Sequence, residues 1–504
     1  MSSEVTRPQA YHSQQEGTSK PRKNKAPNNP LVRGIFLFCT EWQARGNGIG
    51  SGSGRCTADN RDGSTWIPAA KEDGEQEASL PAALTTLAAA DMPRRYTLYP
   101  PLLLLPPNFP TQNPQWTAFY HALSEVDRVE LFRCIAEKGF KGMGVSRVAI
   151  NAPIAAEVDK DQDGADGVGD VKEPVDVTVQ DPTAKEQNVL RCPSGLVPVY
   201  GDWGAMPDAT QHRDRILHPT AKDFDEAFWT STSQHQGILQ CWAPLYTMFS
   251  RGNISEKARI LGLQSHFPGL GQSELHQPVG DVDVVDFYVG IGYFASCYLA
   301  RGVRRVYGFD LNPWSIEGLR RGCERNGWRC LIVRIGEAGT LQGQGAIREL
   351  VEEIERGDQT GNPEGVVRCV AFLGNNKWAW KVLEEMRHGY GRVDKDKRKT
   401  GLRLNVRHAN LGLLPSSTAS WPDGVKVVTG LNEDASGGWL HVHENVDVQQ
   451  IKAMEGKIVR EIDVLVQREA PYPYAVSGAH VEQVKTYAPG VMHCVFDIEI
   501  KPNG

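Results

Sequence analysis

The chain has no C-x-x-C pair. Its ten cysteines are scattered, and the closest two, Cys323 and Cys330, have six residues between them. That spacing argues against a zinc ribbon or a thioredoxin-like motif and reads as reduced thiols of a cytosolic or nuclear protein. Long apolar runs are missing as well: Ile35 to Cys39, Leu102 to Leu105 and Cys369 to Leu373 are too short to span a membrane. The first residues, MSSEVTRPQAYHSQQEGTSK, hold no apolar signal-peptide segment. Charge of one sign is lacking: Lys+Arg 55 against Asp+Glu 61 leaves −6, with a pI near 6.1. This argues against a polybasic binder held by phosphate charge, but leaves room for a nucleic-acid enzyme with a local basic face. No period of about 20 to 50 residues recurs, so repeat architectures are excluded.

What is there is a 504-residue chain with 40% hydrophobic and 23% charged residues, enough for two or three folded domains. Residues 1–92 are expected to form a poorly structured leader and linker, polar and Pro-rich at first and glycine-rich at Arg45 to Arg55. Within them Leu31 to Cys39 reads as an isolated strand or a remnant of an N-terminal element. A smaller α+β domain is expected over 93–262. It has helical periodicity from Trp116 to Ile135 and a strand at Ser146 to Asn151. The acidic stretch Glu157 to Pro174 imitates the start of an EF-hand loop. Asp166 then stands where an apolar residue is wanted and Asp170 where a bidentate Glu is wanted, so it reads as a solvated loop. In WAPLYTMFSRGNISEKARILG, Asn253 and Glu256 have N-cap spacing and Gly262 stops a helix. From about 275 to 504 strands alternate with helices, which implies an α/β fold with a mostly parallel sheet.

The chemistry-bearing motif lies there. The buried-strand run Val282 to Phe287 leads into Tyr288-Val289-Gly290-Ile291-Gly292-Tyr293-Phe294-Ala295. Gly290 and Gly292 permit a sharp turn and bring backbone N–H groups close to a ligand. A second strand ends in Asp310, whose carboxylate suits ribose hydroxyls because it only accepts hydrogen bonds. Asn312 and Pro313 then start a helix. The loose dinucleotide fingerprint fits too, and by itself such a turn is common in α/β proteins. Two details favour S-adenosylmethionine over NAD: Asp286, four residues before Gly290, where a carboxylate can face an amine- or sulfonium-bearing ligand, and the string Asp310-Leu311-Asn312-Pro313, which resembles the second motif of RNA-modifying methyltransferase-like enzymes. The pair Asn375-Asn376 follows a third strand and reads as an adenine contact, a helix cap, or both. Asn410 is expected near the mouth of the site. His441 and His443 share a strand face, but no third ligand supports a metal, so they read as packing histidines.

Several segments together resemble a known family: RYTLYPPLLLLPPNF, WAPLYTMFSRGNISEKARILG, VVDFYVGIGYFASCYLARGVRRVYGFDLNPWSIEGLRRGCERNGW, NLGLLPSS, GGWLHVHENV and VKTYAPGVMHCVFDI. They are similar to the fungal branch of the tRNA wybutosine-synthesizing protein 2 family, from about Tyr96 onward. The resemblance implies a Rossmann-like class I methyltransferase fold, doubly wound, behind a smaller N-terminal α+β domain; the leader, expected to be disordered from its composition, and the acidic loop carry none of it. It further implies transfer of the 3-amino-3-carboxypropyl group of S-adenosylmethionine to C7 of 4-demethylwyosine at position 37 of tRNA(Phe). The implied partner is the anticodon loop in the cytoplasm, with no metal, membrane or stable protein partner. Ser250 and Lys257 stand at the family's donor-contacting positions, and Asp310 at that of the ribose acid, usually Glu. Asn375-Asn376 replaces a more frequent Asp-Asn.

The stretch Arg392 to His408 (RVDKDKRKTGLRLNVRH) carries seven basic side chains, among them Lys397, Arg398, Arg403 and Arg407, against two acidic ones. It reads as an RNA contact or as a solvated loop. Three rival functions remain: a tRNA guanine-37 N1-methyltransferase, a non-catalytic tRNA-binding module with a vestigial pocket, and an NAD oxidoreductase. NLGLLPSS, where those methyltransferases carry Asn-Pro-Pro, separates the first.

Overall fold

A computed structural model describes residues 27–45, 57–59, 63–65, 87–151, 190, 196–204, 209–233, 235–247, 249, 252–342, 346–360, 362–388 and 401–503. The acidic stretch 157–174 therefore lies outside the described residues. Packing groups the chain into two units, Met1–Arg94 with Thr111–Lys141 and Arg95–Pro110 with Gly142–Gly504, a division different from the expected one.

In the first unit the segment read as an isolated strand or a remnant of an N-terminal element is a helix, α1 (Pro30–Ala44). The Asn29 side chain accepts from the Leu31 and Val32 N–H groups, Pro30 supplies the first turn, and Leu31, Val32, Ile35 and Phe38 make one buried face. Each buried side chain of this size is worth about 1.5–3 kcal/mol. The apolar spacing, not its β-branched members, decided the element. A short hairpin, β1 (Thr57–Asp59) and β2 (Gly63–Thr65), follows. The periodic stretch from Trp116 to Ile135 is two helices, α2 (Pro114–Ala122) and α3 (Glu125–Cys134), because Ser124 caps the second and breaks the first. Val126, within this stretch, is 79% exposed. Gly34 of α1 packs against the turn after α3: a Cβ there would stand 2.6 Å from the Ile135 Cα.

The second unit begins with a mixed four-stranded sheet, β3 (Thr97–Tyr99), β4 (Leu102–Leu105), β5 (Arg147–Ile150) and β6 (Val197–Tyr200), in that order. Next come α4 (Ala209–Leu217), α5 (Ala221–Ala227), the hairpin β7 (Thr230–Ser233) and β8 (Leu239–Trp242), then α6 (Ile254–Ile260) and α7 (Gln272–Leu275). The large sheet uses β9 (Asp283–Asp286), α8 (Ala295–Arg301), β10 (Arg305–Asp310), α9 (Pro313–Arg325), β11 (Arg329–Arg334), α10 (Ala346–Gln359), β12 (Val367–Leu373) and α11 (Ala379–His388). It continues with β13 (Val406–Leu411), α12 (Trp421–Gly430), β14 (Gly438–Asp447), α13 (Ile451–Glu469), β15 (Tyr474–Ala488) and β16 (Val491–Pro502).

The strand order is β11-β12-β10-β9-β13-β14-β16-β15, parallel from β11 to β14, with β16 antiparallel to both neighbours. Alternate residues serve opposite faces. Val284, Val306 and Ala371 pack with α8 and α9, whereas Val285, Tyr307, Val370 and Ala409 pack with α10 to α13. A sheet buried on both faces explains the near-continuous apolar strands. With β11 set aside as an added edge strand, this is the Rossmann-like class I methyltransferase fold. Because of β11, the strand before Asn375 (β12) is the fourth of the large sheet in chain order although it lies beside β10. The crevice on either side of β9, at the carboxyl ends of the strands, is where this topology places a ligand.

Candidate functional site

The turn after β9 is built on two glycines in the left-handed region, Gly290 at φ +54° and Gly292 at φ +87°. A Cβ on Gly290 would stand 2.9 Å from the Tyr293 ring, and one on Gly292 2.7 Å from the Leu319 side chain. The Gly292 carbonyl accepts from Gln240 Nε2 at 2.9 Å. Asp310, at the end of β10, ties this turn to the next helix. Its Oδ2 accepts from the Gly290 N–H at 3.0 Å and its Oδ1 from the Asn312 N–H at 2.8 Å. Burial raises its carboxyl to about 6 against those backbone bonds. Asn312 caps α9 as expected, accepting from the Trp314 N–H.

Three buried side chains beside this turn keep polar atoms without a partner. Asp286 Oδ1 accepts from Asn410 Nδ2 at 3.1 Å and from the Tyr288 N–H at 3.2 Å, while Asp286 Oδ2 and Asn410 Oδ1 are left over. Burial pushes the Asp286 carboxyl up to about 7 despite those bonds. Lys257, 1% exposed on α6, has an ammonium with no hydrogen-bond partner, 5.4 Å from the centre of the Tyr293 ring. Burial lowers its pKa. Orphaned buried polar atoms are costly and rare. A cation and two acceptors left open around one glycine turn suit a ligand bearing both a carboxylate and an ammonium.

Asn375 is exposed and its Oδ1 caps the turn into α11 by accepting from the Lys377 N–H. Asn376 donates from Nδ2 to the Phe287 carbonyl at 2.7 Å, which leaves its Oδ1 for other work. Asn410, expected near an RNA-facing mouth, is instead fully buried against Asp286. Ser250, Lys397 and Arg398 lie outside the described residues. Arg407 is no surface cation: it is 7% exposed, with its guanidinium 5.3 Å from the centre of the Trp439 ring. It alternates within a buried strand, and stacking desolvates it. Arg403 is exposed and near Glu433, but it precedes β13, at the opposite end of the strand from Asn410. Asn253 holds the N-cap position of α6 in a left-handed conformation (φ +63°) and its side chain makes no cap bond.

A buried ionic network beyond this pocket was not foreseen. Arg259 donates to Glu256 and to Asp497, which also bonds His441 at 2.6 Å. His441 in turn meets His408, whose other ring nitrogen reaches the Gly269 carbonyl. Burial alone would raise the Asp497 carboxyl, but His441 and Arg259 bring it down to about 2. His443 pairs with His493 at 3.0 Å, so both expected packing histidines are buried and partnered by imidazole or carboxylate. The signal was present as polar residues at period two in apolar strands, His441 and His443 in β14, His493 and Asp497 in β16. Among the described residues two groups have metal-ligand spacing. In the first, Glu41, Glu130 and Cys134, the two carboxylates are already engaged in ion pairs with Arg45, Arg133 and Lys138. Cys323, Cys330 and Cys369 lie away from the pocket, toward the amino ends of the strands.

No protein-family model matches the chain. The tRNA wybutosine-synthesizing protein 2 of Schizosaccharomyces pombe is 32% identical over 410 residues, covering 81% of this chain and 73% of that protein. That of Saccharomyces cerevisiae is 28% identical over 437 residues, covering 81% and 74%. A human homolog is 26% identical over 314 residues, covering 53% and 52%. Among solved structures, P. horikoshii TYW2 in complex with MeSAdo aligns over 84% of this chain and 96% of that one, at 16% identity and a TM-score of 0.42. Relatives in plants and animals carry the same family name, so the kinship is not confined to the fungal branch. The extent and identity of the fission-yeast match show that this chain belongs to the tRNA wybutosine-synthesizing protein 2 family.

Proposed function

We propose that the chain transfers the 3-amino-3-carboxypropyl group of S-adenosylmethionine to C7 of 4-demethylwyosine at position 37 of tRNA(Phe). The observation that carries this is the open set of buried polar atoms, Lys257 Nζ, Asp286 Oδ2 and Asn410 Oδ1, in a chain of this family. When bound, S-adenosylmethionine would supply a sulfonium: attack by C7 at the γ-carbon forms a C–C bond as the C–S bond breaks, neutral 5′-methylthioadenosine leaves, and the proton that C7 carried passes to water as the ring regains its aromaticity. Lys257 holds the donor carboxylate. Asp286 and Asn410 accept from its ammonium, and the spare lone pairs of Asp310 take the ribose hydroxyls. Asn376 serves the adenine edge through Oδ1.

Holding both ends of the amino acid fixes which carbon of the sulfonium faces the base. Positioning then dominates over acid–base chemistry. Phosphate contacts fall to Lys397, Arg398 and Arg403, and reversing those charges weakens tRNA binding and flattens its salt dependence. The deciding experiment uses hypomodified tRNA(Phe) with donor labelled separately in the methyl and carboxyl carbons. Carboxyl label in tRNA supports the proposal, and methyl label overturns it.

A further inference from the structure

Three cysteines that form no metal-binding motif in the sequence meet in the fold. Cys323 of α9, Cys330 of β11 and Cys369 of β12 have their sulfurs within 4.8 Å of one another, and all three are free thiols. Cys323 and Cys369 are fully buried, and Cys330, half-buried on the edge strand, is paired with Cys369 across β11 and β12. The cluster sits away from the donor pocket, since Cys369 pairs with Val306 near the start of β10 whereas Asp310 is at its end.

A single ion held at about 2.3 Å by three sulfurs needs them roughly 4 Å apart, which is close to the spacing already present. Three thiolates around a divalent ion leave one negative charge. The fold holds a counter-charge: Arg368, next to Cys369, donates to the carbonyls of Arg304, Leu299 and Val303. Among the described residues no carboxylate pairs with this part-buried guanidinium.

We propose that Cys323, Cys330 and Cys369 bind one thiophilic d10 cation of the Zn2+ class, reached through Cys330. Binding ties the end of α9 to β11 and β12 and releases the protons still held by the three thiols. The site acts on the stability of this edge of the sheet and leaves the donor pocket unchanged.

The test uses the full chain, reduced and stripped with a chelator under anaerobic conditions, with Cd2+ as probe. A thiolate-to-cadmium absorption band should saturate at one equivalent, be weakened only by a large excess of Zn2+, and accompany protection of these three cysteines from alkylation, mapped by mass spectrometry. Cys330→Ser should lose the band and bind about a hundredfold more weakly or worse. Cys39→Ser, outside the cluster, should keep it. If Cys330→Ser does not fold, the alkylation map of the unaltered protein decides. Less than one equivalent bound, protection at other cysteines, or a disulfide among these three in the isolated protein would overturn the proposal.

Discussion

Lys257 and Arg259 stand two residues apart on α6, and both are buried. Arg259 spends its guanidinium on Glu256, Asp497 and the His266 carbonyl, whereas the Lys257 ammonium has no hydrogen-bond partner. Burial alone therefore does not separate scaffold from site. Saturation does: a buried charge with all its partners present is part of the fold, and one without them awaits a ligand.

The comparison breaks most readily at Arg259. Arg259→Met leaves two buried carboxylates without their cation and should cost about 3–5 kcal/mol in chemical denaturation. A variant as stable as the parent would mean the network is not structural. Lys257→Met should do the reverse. It removes an uncompensated buried ammonium, so thermal stability is kept or raised. Calorimetric titration should show the S-adenosylmethionine affinity falling by about 1.5–3 kcal/mol, as for a lost hydrogen bond to a charged group. Full affinity and transfer rate in that variant would remove Lys257 from the pocket.

Asp286 sharpens the contrast through pH. Its folded pKa of about 7 lies above the ordinary 3.8, so the folded state holds the proton more tightly. Its contribution to stability is full below about pH 4 and is lost as pH rises toward 7, with a slope of at most about 1.4 kcal/mol per unit. Asp286→Asn should lack that slope in melting curves taken across the range. Donor affinity should run the other way in the parent, rising as the carboxylate ionises, and lose that dependence in the variant. The smallest effect belongs to Arg403, whose exposed pair with Glu433 spans 3.9 Å. Arg403→Ala should leave the melting temperature almost unchanged, within about 1 kcal/mol.

Much of the pocket was legible because its parts are local. Gly290, Gly292, the carboxylate ending β10 and the Asn312-Pro313 start of α9 are dictated by backbone conformation within a few residues. Asp286 was singled out by its place before the turn and Lys257 by resemblance, and the structure buries both with a polar atom left without a partner. What stayed hidden depends on partners far along the chain. Asp497 meets Arg259 across 238 residues, and the three cysteines meet only because β11 is added beside β12. Arg407 misled because a charge count treats every basic residue as solvated, while strand alternation had already turned this one onto Trp439. Residues Leu31 to Cys39 misled in the other direction, since Asn29 and Pro30 marked a helix start that their apolar run obscured.

The placing of β16 has a consequence for how the molecule is made. β15 leaves the ribosome first, yet its neighbour in the sheet is β16, which also covers β14. Until β16 emerges, β14 is an open edge, β15 has nothing to pair with, and Arg259 lacks Asp497. The carboxyl-terminal hairpin must therefore add to the sheet as one late, cooperative event. A chain stopped before Val491 would lose a strand pairing and the counter-ion of a buried arginine together. Such a chain should be degraded rather than persist with partial activity.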